Sequence, residues 1–340
     1  FTKAREEYTY QSAVTASKAE KLDYQFISKL PHITSSTTYL STYTFNDTMS
    51  KGMTYNKDAV IAVYDSKDAA DTTNVNNVDK SGAIAVWKST DNDPNFAVTY
   101  GTSGDDSTMQ VAMTKKGLNE INKKYSDKYI VVYYTANVNT DDSVTLGDKG
   151  NPNDVSLTWK RTSTDYYDIL KDECIVYSFG YDLTKKFSDD KGDATKVKFV
   201  IQNKSDNYYL VATGSNGVYQ ITGKSATEEG ATQFSPSAAG KLVINGIEAD
   251  KYGFTETHSD AGYSLLKKEI IVNITSTKAA ITPTQANITG IQSKADTDST
   301  ANDGVVNGTA LKNDVTVQTT AASATVDETK ATMTKHGESN

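Results

Sequence analysis

The sequence predicts an all-β protein, and three observations carry that prediction. Tyrosine dominates the aromatic residues, with 21 Tyr against 9 Phe and 2 Trp, and Thr and Val are abundant; these residue types fit a pleated, half-buried surface. Asn, Asp, Gly and Ser recur between the apolar stretches, as turns require. Helical spacing, by contrast, shows well at only one place in the N-terminal half, Leu118–Tyr125. At 340 residues the chain is long enough for about two domains with real cores.

Charge and composition narrow the function. The net charge of −8 argues against a nucleic-acid partner, which selects a basic face. No apolar run approaches the roughly 18 residues of a membrane span. Phe1-Thr2-Lys3 opens directly into polar sequence with no signal peptide, as expected of an excised or processed piece. The single cysteine, Cys174, excludes an internal disulfide, so a tough secreted protein of this composition needs another staple. His32, His258 and His336 are scattered without partners for a metal site or a triad, and no phosphate loop is present. No metal and no cofactor is expected. The sequons at Asn273 and Asn307 are what chance supplies in a chain rich in Asn and Thr.

Taken in order, residues 1–8 read as a first strand with Phe1, Lys3 and Arg5 on one face. Tyr24–Ile27 reads as a second strand, ended by Leu30-Pro31. In Tyr39–Met49 the period of two puts Tyr43, Phe45 and Asp47 on one face. Ala59–Tyr64 and Ala83–Trp87 are short apolar strands, and Tyr129–Tyr134 is apolar enough to be central in its sheet. In the last strand of this half, Asn151, Asn153, Val155, Leu157 and Trp159 share a face. Residues 161–172, charged and without Gly or Pro, read as a short, stiff linker.

The second half opens with Ile175, Tyr177, Phe179, Tyr181 and Leu183 on one face. Lys185 continues that face and Lys186 points away. Val197–Gln202 and Tyr208–Ala212 form the next hairpin; Asp189–Asp193 before it reads as a solvated turn rather than a cation loop. In Tyr252–Glu256 an acid again follows two aromatics, Tyr252 and Phe254, at period two. An unpaired buried charge is very costly, so such a carboxyl is either solvated or buried in its protonated form for a reason. Beyond Thr275 the sequence loosens, with Val315–Val317 and Ala324–Val326 as possible edge strands within a long insertion.

The pattern Gly240-Lys241-Leu242-Val243-Ile244-Asn245-Gly246-Ile247, then Tyr252-Gly253-Phe254-Thr255-Glu256-Thr257, then Gly262-Tyr263 resembles the Cna-B-type isopeptide-forming domain of Gram-positive pilins. The stretch Tyr43-Thr44-Phe45-Asn46-Asp47-Thr48, the Tyr-rich strand and Gly150-Asn151-Pro152-Asn153-Asp154-Val155-Ser156-Leu157 resemble the Cna-A-like fimbrial isopeptide domain of backbone pilins. These resemblances imply two tandem immunoglobulin-like β-sandwiches, residues 1–162 and 163–340. They also imply a structural, non-enzymatic shaft subunit of a covalently assembled, cell-wall-anchored extracellular pilus. Its partners would be other pilin subunits, a sortase and host surface receptors.

By the same resemblance Lys3, Asp47 and Asn153 are the lysine, acid and asparagine of the first domain, with Asn151 as the rival asparagine. Lys185 and Glu256 are the lysine and acid of the second. Such a site needs a desolvated, neutral amine, a protonated acid and an asparagine in contact, and releases ammonia as the amide forms. The second asparagine is missing from Met333–Gly337. The final strand is therefore expected beyond residue 340 or from elsewhere, leaving an open edge on the first strand and a buried Lys185–Glu256 ion pair, with Asn340 as the second choice of asparagine. Neither the sortase sorting motif nor the Tyr-Pro-Lys motif of that family occurs in the chain. A surface adhesin that binds a glycan or matrix protein, and a carbohydrate-binding accessory module, are the competing readings.

Overall fold

In the computed structural model, the described residues are 10, 13–33, 39–147, 149–161, 167–187, 190–266 and 268–274, with short strand segments at 284–285, 288–289, 309–310 and 332–335. In chain order the first half contains β1 (Ala13–Thr15), β2 (Lys21–Lys29), β3 (Leu40–Met49), β4 (Met53–Tyr55), β5 (Val60–Tyr64), β6 (Ala85–Lys88), β7 (Phe96–Ser103), β8 (Asp106–Met113), β9 (Tyr129–Val138), β10 (Asn151–Arg161) and β11 (Tyr167–Tyr177). A helix, α1 (Lys115–Lys124), precedes β9, and the Thr114 hydroxyl caps it by accepting from the Gly117 amide.

These strands form two facing sheets. One runs β1-β11-β10-β3-β8-β7, and the other β2-β9-β5-β6 with β4 also on β9. Their inner faces interdigitate: Tyr43, Phe45, Leu157 and Trp159 meet Phe26, Ile61, Val132 and Tyr134. The outer face of the second sheet is covered too, with Ile27, Val60, Val131 and Tyr133 packing on Ala70 and Val78. Strand β9 is thus buried on both faces, which explains why its sequence is apolar throughout rather than alternating.

The second half contains β12 (Phe179–Phe187), β13 (Lys198–Asn203), β14 (Tyr208–Ser215), β15 (Val218–Ser225), β16 (Lys241–Ile247), β17 (Lys251–His258) and β18 (Ile270–Asn273). Short segments follow: β19 (Thr284–Gln285), β20 (Ile288–Thr289), β21 (Thr309–Ala310) and β22 (Thr332–Lys335). The order β18-β17-β13-β14-β15-β16-β12-β22 surrounds a second core built on Tyr181, Leu183, Phe199, Leu210, Leu242, Ile244 and Phe254.

Three expectations are corrected. The linker expected at 161–172 is largely strand: β11 pairs antiparallel with β10 over Lys160↔Tyr167 to Asn151↔Val176, and parallel with β1. Its charges had masked it, yet the absence of Gly and Pro is what lets it complete a ladder. The strand expected from Ile175 onward is divided at Ser178: Val176 belongs to the first core and Tyr177 to the second. Third, the edge of β12 is not open. Strand β22 pairs with it in parallel, Lys185↔Met333 in register. The hairpin β7–β8 is an addition to the strands expected from the sequence, although Phe96, Val98 and Tyr100 and then Met109, Val111 and Met113 recur at period two and face the first core. The first strand expected at residues 1–8, and Val315–Val317 and Ala324–Val326, lie outside the described residues.

Segment Thr15–Glu20 stitches the two halves together. The Ala16 amide donates to Tyr177 O and the Lys18 amide to Gly246 O; the Glu248 amide donates to Ser17 Oγ and the Ala249 amide to Thr15 Oγ1. Gly246 sits at φ +95, and a Cβ there would stand 2.4 Å from Lys18 Cγ, so both backbone and space call for glycine.

Candidate functional site

Strand alternation carries Asp47 into the first core beside Tyr43 and Phe45, and the carboxyl is 1% exposed. The opposing sheet supplies its neighbours. The Tyr55 hydroxyl donates to Asp47 Oδ2 at 2.5 Å and the Tyr134 hydroxyl to the same oxygen at 3.4 Å. Burial pushes the Asp47 pKa up to about 8; hydrogen bonds from Tyr55, Tyr134 and Asn153 oppose that shift without cancelling it. At neutral pH the group is therefore mostly the protonated acid.

Asn153 lies on β10 between Met49 of β3 and Cys174 of β11. It is 4% exposed, and its Nδ2 donates to the Tyr134 hydroxyl at 2.6 Å. Asp47 Oδ1 and Asn153 Oδ1 have no hydrogen-bond partner among the described residues. A buried acid oxygen and a buried amide oxygen left without partners are costly unless something is made there. Asn151 contrasts with this. Its Oδ1 accepts from the Thr145 amide at 2.9 Å, and its Nδ2 donates to Thr145 O and Val176 O. That carboxamide is committed to backbone. Burial also pushes the Cys174 thiol up, so beside Asn153 it is a thiol and not a thiolate. Lys3 lies outside the described residues.

In the second half, Lys185 points inward from β12 and Lys186 outward. Lys185 Nζ stands 2.9 Å from Glu256 Oε1, with both side chains fully shielded from solvent. The other Glu256 oxygen accepts from the Leu266 amide at 2.8 Å, and the Phe187 ring lies 5.4 Å from the ammonium. The register opposite Lys185 holds Met333. Asn273 is exposed on β18, with Val272 and Ile274 buried on the other face. The second pair thus has lysine and acid in contact and no asparagine beside them among the described residues.

Sequence reasoning did not find Tyr55, Tyr134 or a charge cluster at the junction. There Lys224 Nζ lies 2.5 Å from Glu20 and 3.5 Å from Glu248, over the Tyr208 ring at 4.0 Å. Glu248 also accepts from the Tyr208 hydroxyl and gathers with Asp206 and Asp250. Only tertiary contact brings these groups together, so no spacing in the sequence announces them. Tyr134 faces inward at period two with Val132, a register the sequence does show, but nothing local ties it to Asp47.

These features define a class: tandem immunoglobulin-like sandwiches, each enclosing a buried acid. The comparisons bear on the fold. Residues 181–289 match the family model described as SpaA, prealbumin-like fold domain. No curated protein sequence matches the chain. Among solved structures, the 35 kDa C-terminal fragment of the major pilin GBS80 of Streptococcus agalactiae superposes with a TM-score of 0.56 at 14% identity, covering 78% of this chain and 88% of that one. The pilus backbone RrgB from Streptococcus pneumoniae gives 0.51 at 14% identity, covering 90% and 94%. The T6 backbone pilin of Streptococcus pyogenes gives 0.51 at 15% identity, covering 98% and 68%. The chain has the fold of Gram-positive backbone pilins.

Proposed function

We propose that this chain is a shaft subunit of a covalently assembled bacterial surface pilus, and that its first domain closes an internal amide between Lys3 and Asn153 with Asp47 as the acid. The observation that carries the reading is the buried, protonated Asp47 beside an asparagine whose carboxamide oxygen has no partner. Attack by a neutral lysine amine on Asn153 Cγ, with loss of ammonia, would convert orphaned polar groups into a satisfied amide. The bond would tie a first strand to β10 and close a loop of about 150 residues. This chemistry is internal and occurs once per molecule, so no turnover of an external substrate accompanies it.

In the same reading the partners are further copies of the subunit and a sortase, and the setting is the outside of the cell wall. No helix among the described residues is long and apolar enough to cross a membrane. The second domain keeps Lys185 and Glu256 as an ion pair. The test is intact-protein mass followed by mapping of cross-linked peptides. The expected result is a mass short by one ammonia and a peptide pair joining Lys3 to Asn153. A full-length mass without that loss sinks the reading, and a pair joining Asn153 to another lysine reassigns the nucleophile.

A further inference from the structure

The acid and the amide of the first domain are neighbours, and one hydroxyl touches both. Tyr134 Oη lies 2.6 Å from Asn153 Nδ2 and 3.4 Å from Asp47 Oδ2. The side chain is 1% exposed and its ring is held by stacking on Tyr24 at 5.1 Å, so the hydroxyl cannot swing away. Tyr55, the other phenol on Asp47, has no hydrogen bond to Asn153. A half-turn of the Asn153 carboxamide exchanges its nearly isosteric oxygen and nitrogen, and would bring the orphaned Oδ1 to the Tyr134 hydroxyl.

We propose that Tyr134 is a catalytic residue of the cross-linking reaction, relaying a proton from Asp47 to the carboxamide oxygen of Asn153. This rests on the amide-forming function proposed above. In the step, the lysine nitrogen lone pair forms the new bond to Cγ, and the C=O π pair moves onto Oδ1. Tyr134 gives its proton to that oxygen and takes the Asp47 proton in return. On collapse the C=O re-forms, and the Oδ1 proton returns through Tyr134 to Asp47. The Cγ–Nδ2 bond breaks, and the leaving nitrogen takes the proton shed by the attacking amine and departs as ammonia. Tyr134 and Asp47 end as they began. A phenol serves here because it both accepts and donates on one oxygen, which a carboxamide or an ammonium cannot do.

The experiment follows ammonia loss with time by intact mass after cell-free synthesis of the full chain, comparing wild type, Tyr134→Phe and Tyr24→Phe. Tyr134→Phe keeps the ring and should slow the loss by roughly a hundredfold, the usual contribution of a positioned proton donor. Tyr24→Phe, whose hydroxyl has no hydrogen-bond partner among the described residues, should match wild type. The same two substitutions in an Asn153→Ala background, where no bond can form, report packing alone through the melting temperature. Equal rates in wild type and Tyr134→Phe overturn the proposal. So does an equal slowing by both phenylalanines, or a Tyr134→Phe slowing that tracks a loss of melting temperature in the Asn153→Ala background. A wild type that never loses ammonia refutes instead the amide-forming reading beneath it.

Discussion

Asp47 is where a single substitution says most. Asp47→Ala should abolish ammonia loss and cost about 4–5 kcal/mol of stability, the chain-entropy value of the lost loop closure. On a domain of this size that is a fall in melting temperature on the order of 10 °C. Calorimetry beside intact mass checks both, and an unchanged mass difference from wild type would remove Asp47 from the reaction. The protonation state has its own signature. With a folded pKa of about 8 against an ordinary carboxyl near 4, folding holds a proton that the unfolded chain gives up. The sign follows: an Asn153→Ala variant, which cannot cross-link, should lose stability as pH rises from about 4 to 8 and level off above. Asp47→Asn in that background should flatten this slope, as urea titrations across the range would show.

At the scale of single elements, β12 and β17 hold the Lys185–Glu256 pair without a bond between them. Dehydrated pairs are weak stabilisers, but half of one is a liability. Lys185→Met alone should therefore cost roughly 3–5 kcal/mol, while Lys185→Met with Glu256→Leu should recover most or all of it. A denaturant double-mutant cycle measures this; equal losses in the single and double variants would mean the pair is not the unit. The elements also show what the sequence could and could not display. The inward register of Asp47, Lys185 and Glu256 was legible because a half-buried strand writes its facing at period two. Strand β9 was legible as central because it is covered on both faces. Strand β11 was not: backbone pairing with β10 holds it, and backbone pairing leaves no mark on side-chain pattern. The edge strand β22 was hidden for a related reason, since an edge needs only one partner and no asparagine marked it.

Across the whole molecule the junction is the feature no local pattern predicts. Two carboxylates, Glu20 at 3% and Glu248 at 0% exposure, converge on Lys224, one from each half. Removing the shared cation leaves two buried like charges facing each other across the seam. Lys224→Ala should loosen the junction while leaving each core intact. Small-angle scattering should then show a broader distribution of maximum dimension, and near-ultraviolet dichroism little change. An unaltered scattering profile would assign the rigidity of the seam to the backbone bonds of Thr15–Glu20 alone.

The parallel pairing of β12 with β22 has a consequence for a protein drawn out along its chain. Tension applied from the two ends pulls β12 toward its start and β22 toward its finish. Because the strands run the same way, those pulls are opposed along their common axis, and the ladder is sheared. Its hydrogen bonds must then yield together instead of opening one after another like a zip. Single-molecule extension of the second domain through its termini should therefore need a higher rupture force than extension applied across a hairpin such as β14–β15. Equal forces in the two directions would show that β22 bears no part of the strain.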